Sequence, residues 1–278
     1  MDEDQARNVA RGVRLALHSR VVYKRAIKAW YIAMAVEFGV VIALAIATNS
    51  SFSPRSELLI SLTGLVMVIA AYLLKLYYEW QYDLAETMRR QSVLSEGLAW
   101  PIDDIQYADW LSKARLSDAV RDDDYYETDK PVGAKRLRDM LEISTFYTRS
   151  QYEMLCGIVL VVVVLLVFGA GIVLCGIVTV EDEETRRHIG TLIISAVLPI
   201  IITGNFVGWF FRLFRMASSI KEIEKELNKL ERNPSERKVL RLFAEYNCQL
   251  AGGFPIPGWL YEGFFKPRIE RIRKHRKS

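Results

Sequence analysis

The chain has 278 residues, 51% hydrophobic and 25% charged, with 37 Lys and Arg against 33 Asp and Glu. Length alone admits one or two soluble domains, but the apolar residues gather in four long blocks between strongly charged segments, which excludes a uniform globular chain. Three cysteines without ligand spacing exclude a disulfide framework and a zinc site.

The opening Met1-Asp2-Glu3-Asp4-Gln5 has no apolar core or cleavage site of a secretory signal, so the N-terminus is expected to be retained. Residues 1–29 read as an amphipathic cytosolic helix. Ala6, Val9, Ala10, Val13, Ala16 and Leu17 fall on one side, and Arg7, Arg11, Arg14 and His18 on the other. Such a helix either lies on the cytoplasmic leaflet or packs on the protein's own cytosolic portion.

A membrane span needs about 20 predominantly apolar residues to cross a ~30 Å hydrocarbon core. Residues 30–48 and 58–76 meet that need and form a first transmembrane hairpin, 30–76. Glu37 lies seven residues into the first span, ~10 Å deep by helical rise. A charge there costs roughly 2.5–3.5 kcal/mol on insertion scales and faces a bundle interior or water. Lys75, near the end of the second span, is placed to reach toward it. The two are either a helix–helix ion pair or part of a pore or gate.

Residues 77–153 are expected to form a cytosolic helical segment. A helix over 77–94 continues the second span, and LAWPIDD (98–104) breaks it at Pro101. The aspartates cap a helix at 105–116. Asp122-Asp123-Asp124-Tyr125-Tyr126 reads as a solvated loop rather than a metal site, and a last helix, 134–151, runs into the third span.

The second hairpin is expected over 154–211. Its first span, 154–180, has no charged residue, and Cys156 and Cys175 within it lie too far apart to pair. The fourth span, 189–211, holds Ser195, Thr203 and Asn205 around Pro199 and Gly204, so a kink is expected there. These residues line a path or act as a hinge in a channel, and glue helices together in an ordinary bundle. Gly157, Gly169, Gly171 and Gly176 permit close helix approach, including between copies of the chain. Trp30, Tyr31, Tyr77, Tyr78, Trp80, Trp209 and Phe210 cluster at span ends, where amphipathic rings favour the headgroup layer.

The basic tail, 212–278, is read as cytosolic and helical. Ile220, Ile223, Leu227 and Leu230 form a stripe at 3-4-3 spacing. Asn233-Pro234 ends it, residues 235–250 form another helix, and 252–258 is turn-rich. Residues 266–277 carry eight basic side chains, His275 included, against Glu270. That favours an anionic membrane surface over nucleic acid.

Lys and Arg number seven before the first span, ten in 77–153 and sixteen from Arg212 onward. The short connections hold three: Arg55, Arg186 and Arg187. The positive-inside rule then puts both termini and the central segment in the cytoplasm. The fold class expected is an all-α integral membrane protein with four transmembrane helices in two hairpins and a helical cytosolic portion. Phosphate loops, nucleophile elbows, paired-histidine motifs and Cys-x-x-Cys are absent, and His18, His188 and His275 lie in different segments. No enzyme activity, catalytic residue, metal or cofactor is expected.

Three stretches, AETMRRQSVLSEGLAWPI (85–102), PVGAKRLRDMLEISTFYTRSQYE (131–153) and EYNCQLAGGFPIPGWLYEGFF (245–265), carry a likeness beyond layout. With the paired spans and cytosolic middle, they resemble the SMODS-associated four-transmembrane effector family. The resemblance implies a pore-forming effector of bacterial cyclic-oligonucleotide anti-phage defence (CBASS) in the inner membrane. Such an effector binds a cyclic oligonucleotide made by a partner nucleotidyltransferase, assembles as a homo-oligomer and permeabilises the bilayer. The chemistry of that ligand asks for cations on its phosphates, for which Lys135, Arg136 and Arg138 are candidates. It asks for aromatic planes on its bases, for which Trp100, Trp110, Tyr125 and Tyr126 are candidates. The closing RIERIRKHRK is more basic than the resemblance leads one to expect. Two other readings stay open: a constitutive small ion channel or transporter subunit, and a membrane scaffold that recruits a soluble partner.

Overall fold

A computed structural model describes residues 2–48, 53–114, 128, 130–179, 182, 206–231, 233–251, 253, 256 and 258–277. Among the described residues the regular structure is all helical, with no strand. In chain order it comprises α1 (Glu3–Thr48), α2 (Pro54–Leu98), α3 (Asp104–Ala114), α4 (Ala134–Thr179), α5 (Phe206–Lys229) and α6 (Glu236–Leu250). A closing run follows: α7 (Gly258–Leu260), a π-helical turn (Tyr261–Phe265) and α8 (Lys266–Lys277).

Local chemistry sets the ends. Asp2 Oδ1 accepts the Gln5 amide at 2.7 Å at the start of α1, and Asp103 Oδ2 accepts that of Gln106 at 2.9 Å at the start of α3. α2 stops at Leu98, because Ala99 takes a left-handed φ of 55° just before Trp100-Pro101. An L-residue there costs roughly 1–2 kcal/mol. The Asn8 side-chain amide helps hold the turn by donating to the Ala99 carbonyl at 3.1 Å. Gly133, with φ 138°, opens the way into α4 and donates its N–H to the Gly97 carbonyl at 2.8 Å.

The chain divides into two units. The polar unit comprises Met1–Ile27, Tyr78–Met154 and Phe214–Ser278, and the apolar unit Lys28–Tyr77 and Leu155–Leu213. In the polar unit α1 and α2 run antiparallel: Asn8 meets Ala99, Gly12 meets Ser92 to Glu96, and Tyr23 meets Glu86. Leu15, Val22, Ala85, Met88, Ile102, Trp110 and Ala114 form a core of α1, α2, α3 and the segment between the last two. On α6, Val239, Leu242, Phe243, Tyr246 and Leu250 are buried at 3–4-residue spacing. They share the unit with the Ile220, Ile223 and Leu227 stripe of α5, also buried.

The inward face of α1 differs from the expected one. Ala6 and Ala10 are exposed, whereas Gly12, Leu15, His18, Ser19, Val22 and Ala26 are buried. Gly12 is the physical reason, because without a side chain it lets the α2 backbone come close. A Cβ there would sit 2.9 Å from the Glu96 nitrogen and 3.0 Å from the Ser92 oxygen. Polar side chains on that face satisfy themselves locally. The Ser19 hydroxyl donates to the Ala16 carbonyl at 2.7 Å, and His18 Nδ1 lies 2.8 Å from the Arg14 carbonyl oxygen. Burial also lowers the His18 pKa below its ordinary 6.5, so the ring is neutral at pH 7.

The apolar unit is built the other way round. Small or slender side chains such as Ala33, Met34, Val40 and Ala71 are buried, while large ones point outward. Val66 is 64% exposed, Leu165 66% and Phe168 70%. α1, α2 and α4 each hold a stretch long and apolar enough to cross a membrane, and large outward-facing apolar surface of this kind is the mark of a membrane protein. Most of the expected fourth span, 189–205, lies outside the described residues.

Gly12→Ala should lower the thermal midpoint of the protein in detergent. Overpacking costs about 1–3 kcal/mol against the ~1 kcal/mol that alanine returns in helix propensity. Gly39→Ala, whose added Cβ meets no atom within 4 Å, should not lower it.

Candidate functional site

Within the apolar unit, Lys75 Nζ on α2 lies 2.6 Å from Glu37 Oε1 and 2.7 Å from Oε2 on α1. The lysine tethers both carboxylate oxygens. The pairing is antiparallel, since Gly64 of α2 approaches Val40 and Leu44 of α1. Glu37 keeps 17% of its side-chain surface open and Lys75 35%. Mutual neutralisation is how two charges are tolerated among apolar helices, where a lone one is costly. Nearby, Trp30 stacks edge-on against Tyr31 at 4.8 Å and meets Trp209 at 5.8 Å, with Phe206 at 5.3 Å from Trp209.

The polar unit holds a buried network that binds four helices together. The Glu86 carboxylate accepts a short hydrogen bond from the Tyr23 hydroxyl of α1. It also takes Arg89 through Nε at 3.2 Å and Nη2 at 3.0 Å, and Arg90 lies 3.5 Å away. Arg89 Nη2 donates in turn to Asn247 Oδ1 of α6, and its guanidinium lies 5.7 Å from the Tyr246 ring centre. The Tyr246 hydroxyl pairs with Thr148 of α4 at 2.8 Å. Burial would draw the Arg89 guanidinium down, but the Glu86 carboxylate and adjacent tyrosines hold its pKa above the ordinary value. Burial, then the Glu86 charge, pushes the Tyr23 phenol up, and burial does the same for Tyr82. These protons stay in place near neutral pH, so the network fixes helices rather than moving protons.

The same logic recurs twice. Arg149 of α4 meets the buried Glu224 of α5 at 2.6 Å, and Arg136 of α4 meets Glu96 of α2 at 3.5 Å.

The structure places the ligand candidates apart in role. Trp110 is 5% exposed and its ring belongs to the core, so it offers no open face to a base. It belongs to the same buried cluster as Leu15 and Met88. Trp100 is 40% exposed beside the α2 stop. Arg136 is engaged by Glu96, Arg138 donates to the Glu231 carbonyl at 2.9 Å, and Lys135 is exposed. Tyr125 and Tyr126 lie outside the described residues, as do Ser195, Pro199, Thr203 and Asn205.

The Glu86–Arg89–Asn247 network was not found from the sequence. Its signal, an acid three and four residues before two arginines, is also the spacing of an ordinary exposed helical pair. Compared with protein-family models, with curated proteins and with solved structures, the chain matches none.

Removing one member of the intramembrane pair should cost more than removing both. Glu37→Gln is expected to lower stability by about 2 kcal/mol, below the ~3–5 kcal/mol of a fully buried pair, because Lys75 is partly open. Glu37→Gln combined with Lys75→Met should recover most of that loss. Chemical denaturation in detergent micelles measures both.

Proposed function

We propose that the chain is a membrane effector that permeabilises the bilayer when its polar unit receives a soluble signal. The apolar unit crosses four times as two hairpins, and the polar unit gathers both termini and the central segment on the cytoplasmic side. The observation that carries the reading is continuity. α1, α2 and α4 each contribute residues to both units without a helix break. Tyr23 and Glu37 both belong to α1, and Glu86 and Lys75 both belong to α2, which is the route this reading gives the signal.

The fourth crossing is supported by the ends of the chain that flank it. Cys156 Sγ of α4 lies 3.9 Å from the Phe210 carbonyl of α5, whereas α4 continues to Thr179. That is about 35 Å further along a straight helix. A distance of that size equals a hydrocarbon core, which supports a fourth crossing between the two. The scarcity of cations in the connections, Arg55, Arg186 and Arg187 against thirty-three in the termini and central segment, supports the orientation.

As activator, the resemblance to the SMODS-associated four-transmembrane effectors points to a cyclic oligonucleotide from a partner nucleotidyltransferase, and to action in bacterial anti-phage defence at the inner membrane. Of the candidate contacts for it, Lys135 and Trp100 are accessible. A homo-oligomer is the simplest way for few spans per chain to enclose a path.

A second reading, a constitutive ion pathway, rests on the partial exposure of Glu37 and Lys75, which keep 17% and 35% of their side-chain surface open. Dye release from liposomes holding the purified protein separates the two. The effector reading expects release only on adding a cyclic dinucleotide or trinucleotide. Release without any nucleotide, altered by Glu37→Gln, would favour the constitutive pathway. Silence under all conditions would sink both.

A further inference from the structure

The closing run of the chain has two faces of opposite character. Phe265 and Ile269 are buried, at 2% and 0% exposure, while Trp259 and Phe264 are 70% and 67% exposed. Five residues of ordinary α-helix would place Trp259 and Phe264 about 140° apart. The π-helical turn at Tyr261–Phe265 winds more slowly and narrows that angle. Both aromatic rings thus end on the outward side.

Lys266, Arg268 and Arg271 follow, all exposed. Residues 258–277 carry seven Lys and Arg against Glu262 and Glu270. The placement of the run is also defined. Burial raises the Tyr261 pKa, with the Tyr147 phenol of α4 next in effect and Glu270 and Arg20 of α1 also acting on it. Tyr147 lies seven residues ahead of the apolar stretch starting at 154, and Arg20 ten ahead of that at 30. Tyr261 therefore lies within electrostatic reach of the parts of α1 and α4 that precede the apolar stretches in sequence.

Exposed Trp and Phe followed by cations is the chemistry of a headgroup contact, with rings at the acyl boundary and ammonium and guanidinium groups on phosphates. We infer that Trp259 and Phe264, with Lys266, Arg268 and Arg271, form a contact for anionic lipid of the membrane that the chain itself spans. The inference rests on the membrane-spanning reading above. It adds a lipid preference, so that the run is fixed on anionic leaflets and looser on zwitterionic ones. Each basic side chain at an anionic surface strengthens attachment about fivefold.

The test uses the full chain in nanodiscs of phosphatidylcholine, with or without phosphatidylglycerol, containing lipids brominated near the headgroup. Tryptophan quenching is compared between the native chain and Trp259→Phe, a conservative change at an exposed position. In phosphatidylglycerol discs the variant should lose a share of quenched emission. That share should fall in phosphatidylcholine, and also at ~1 M salt, where the Debye length shrinks to about 3 Å. Lys266→Glu/Arg268→Glu/Arg271→Glu should erase it. Equal quenching of the native chain and Trp259→Phe, with the other tryptophans still quenched, overturns this inference alone. If no tryptophan is quenched, the membrane-spanning reading falls with it. A Trp259 signal that responds to added RNA and not to lipid overturns the inference in favour of a nucleic-acid partner.

Discussion

Water is a poor solvent for the outward faces of α2 and α4, and hydrocarbon is a good one. From Leu58 to Leu76 the exposed side chains of α2 include Leu59, Leu62, Leu65, Val66, Ile69 and Leu73. From Ile158 to Ile172, α4 shows Val161, Val164, Leu165, Val167 and Phe168. Inside hydrocarbon every backbone N–H and C=O has to be satisfied within the segment, which a continuous helix does. The same constraint governs side chains. Glu37 is accommodated because Lys75 reaches both its oxygens, and small inward residues such as Ala33 and Ala71 let the helices approach without a hydrophobic drive between them.

The polar unit solves a different problem, the joining of helices that are far apart in sequence. Its means are buried charges with several partners rather than apolar packing alone. Glu86 is shared by Tyr23, Arg89 and Arg90, and Arg89 passes the connection to Asn247. Such groups add little net stability, because desolvation offsets most of the attraction. A misaligned register, however, would leave Glu86 or Arg89 buried without a partner. Three stretches distant in sequence meet here: 85–102 supplies Glu86 and Arg89, 131–153 supplies Thr148 and Arg149, and 245–265 supplies Tyr246 and Asn247.

What could be read in the sequence depended on how local its cause was. Apolar length needs only counting, so the long stretches of α1, α2 and α4 were legible. The α2 stop was foreshadowed by Pro101, and the buried stripe of Ile220, Ile223 and Leu227 by its spacing. The inward face of α1 was not legible, because it is set by the approach of α2 to Gly12, a tertiary event that hydropathy does not encode. His18 looked solvated for the same reason. Trp110 could be named as a stacking candidate from its residue type, but its burial with Leu15 and Met88 in one cluster is a tertiary fact that the sequence does not display. Glu86 and Arg89 stood at the spacing of a surface pair, and only Tyr23 and Asn247, distant in sequence, make them an interior one.

The cysteines allow the most direct test of a chain that crosses the bilayer with its polar unit on one side. Cys248 is exposed on α6, while Cys156 is buried and lies in the apolar stretch of α4. A membrane-impermeant thiol reagent should label Cys248 in inverted membrane vesicles and leave it unlabelled in intact cells, with the modified peptide identified by mass. Equal labelling from both sides, or labelling of Cys248 on intact cells alone, would contradict the account.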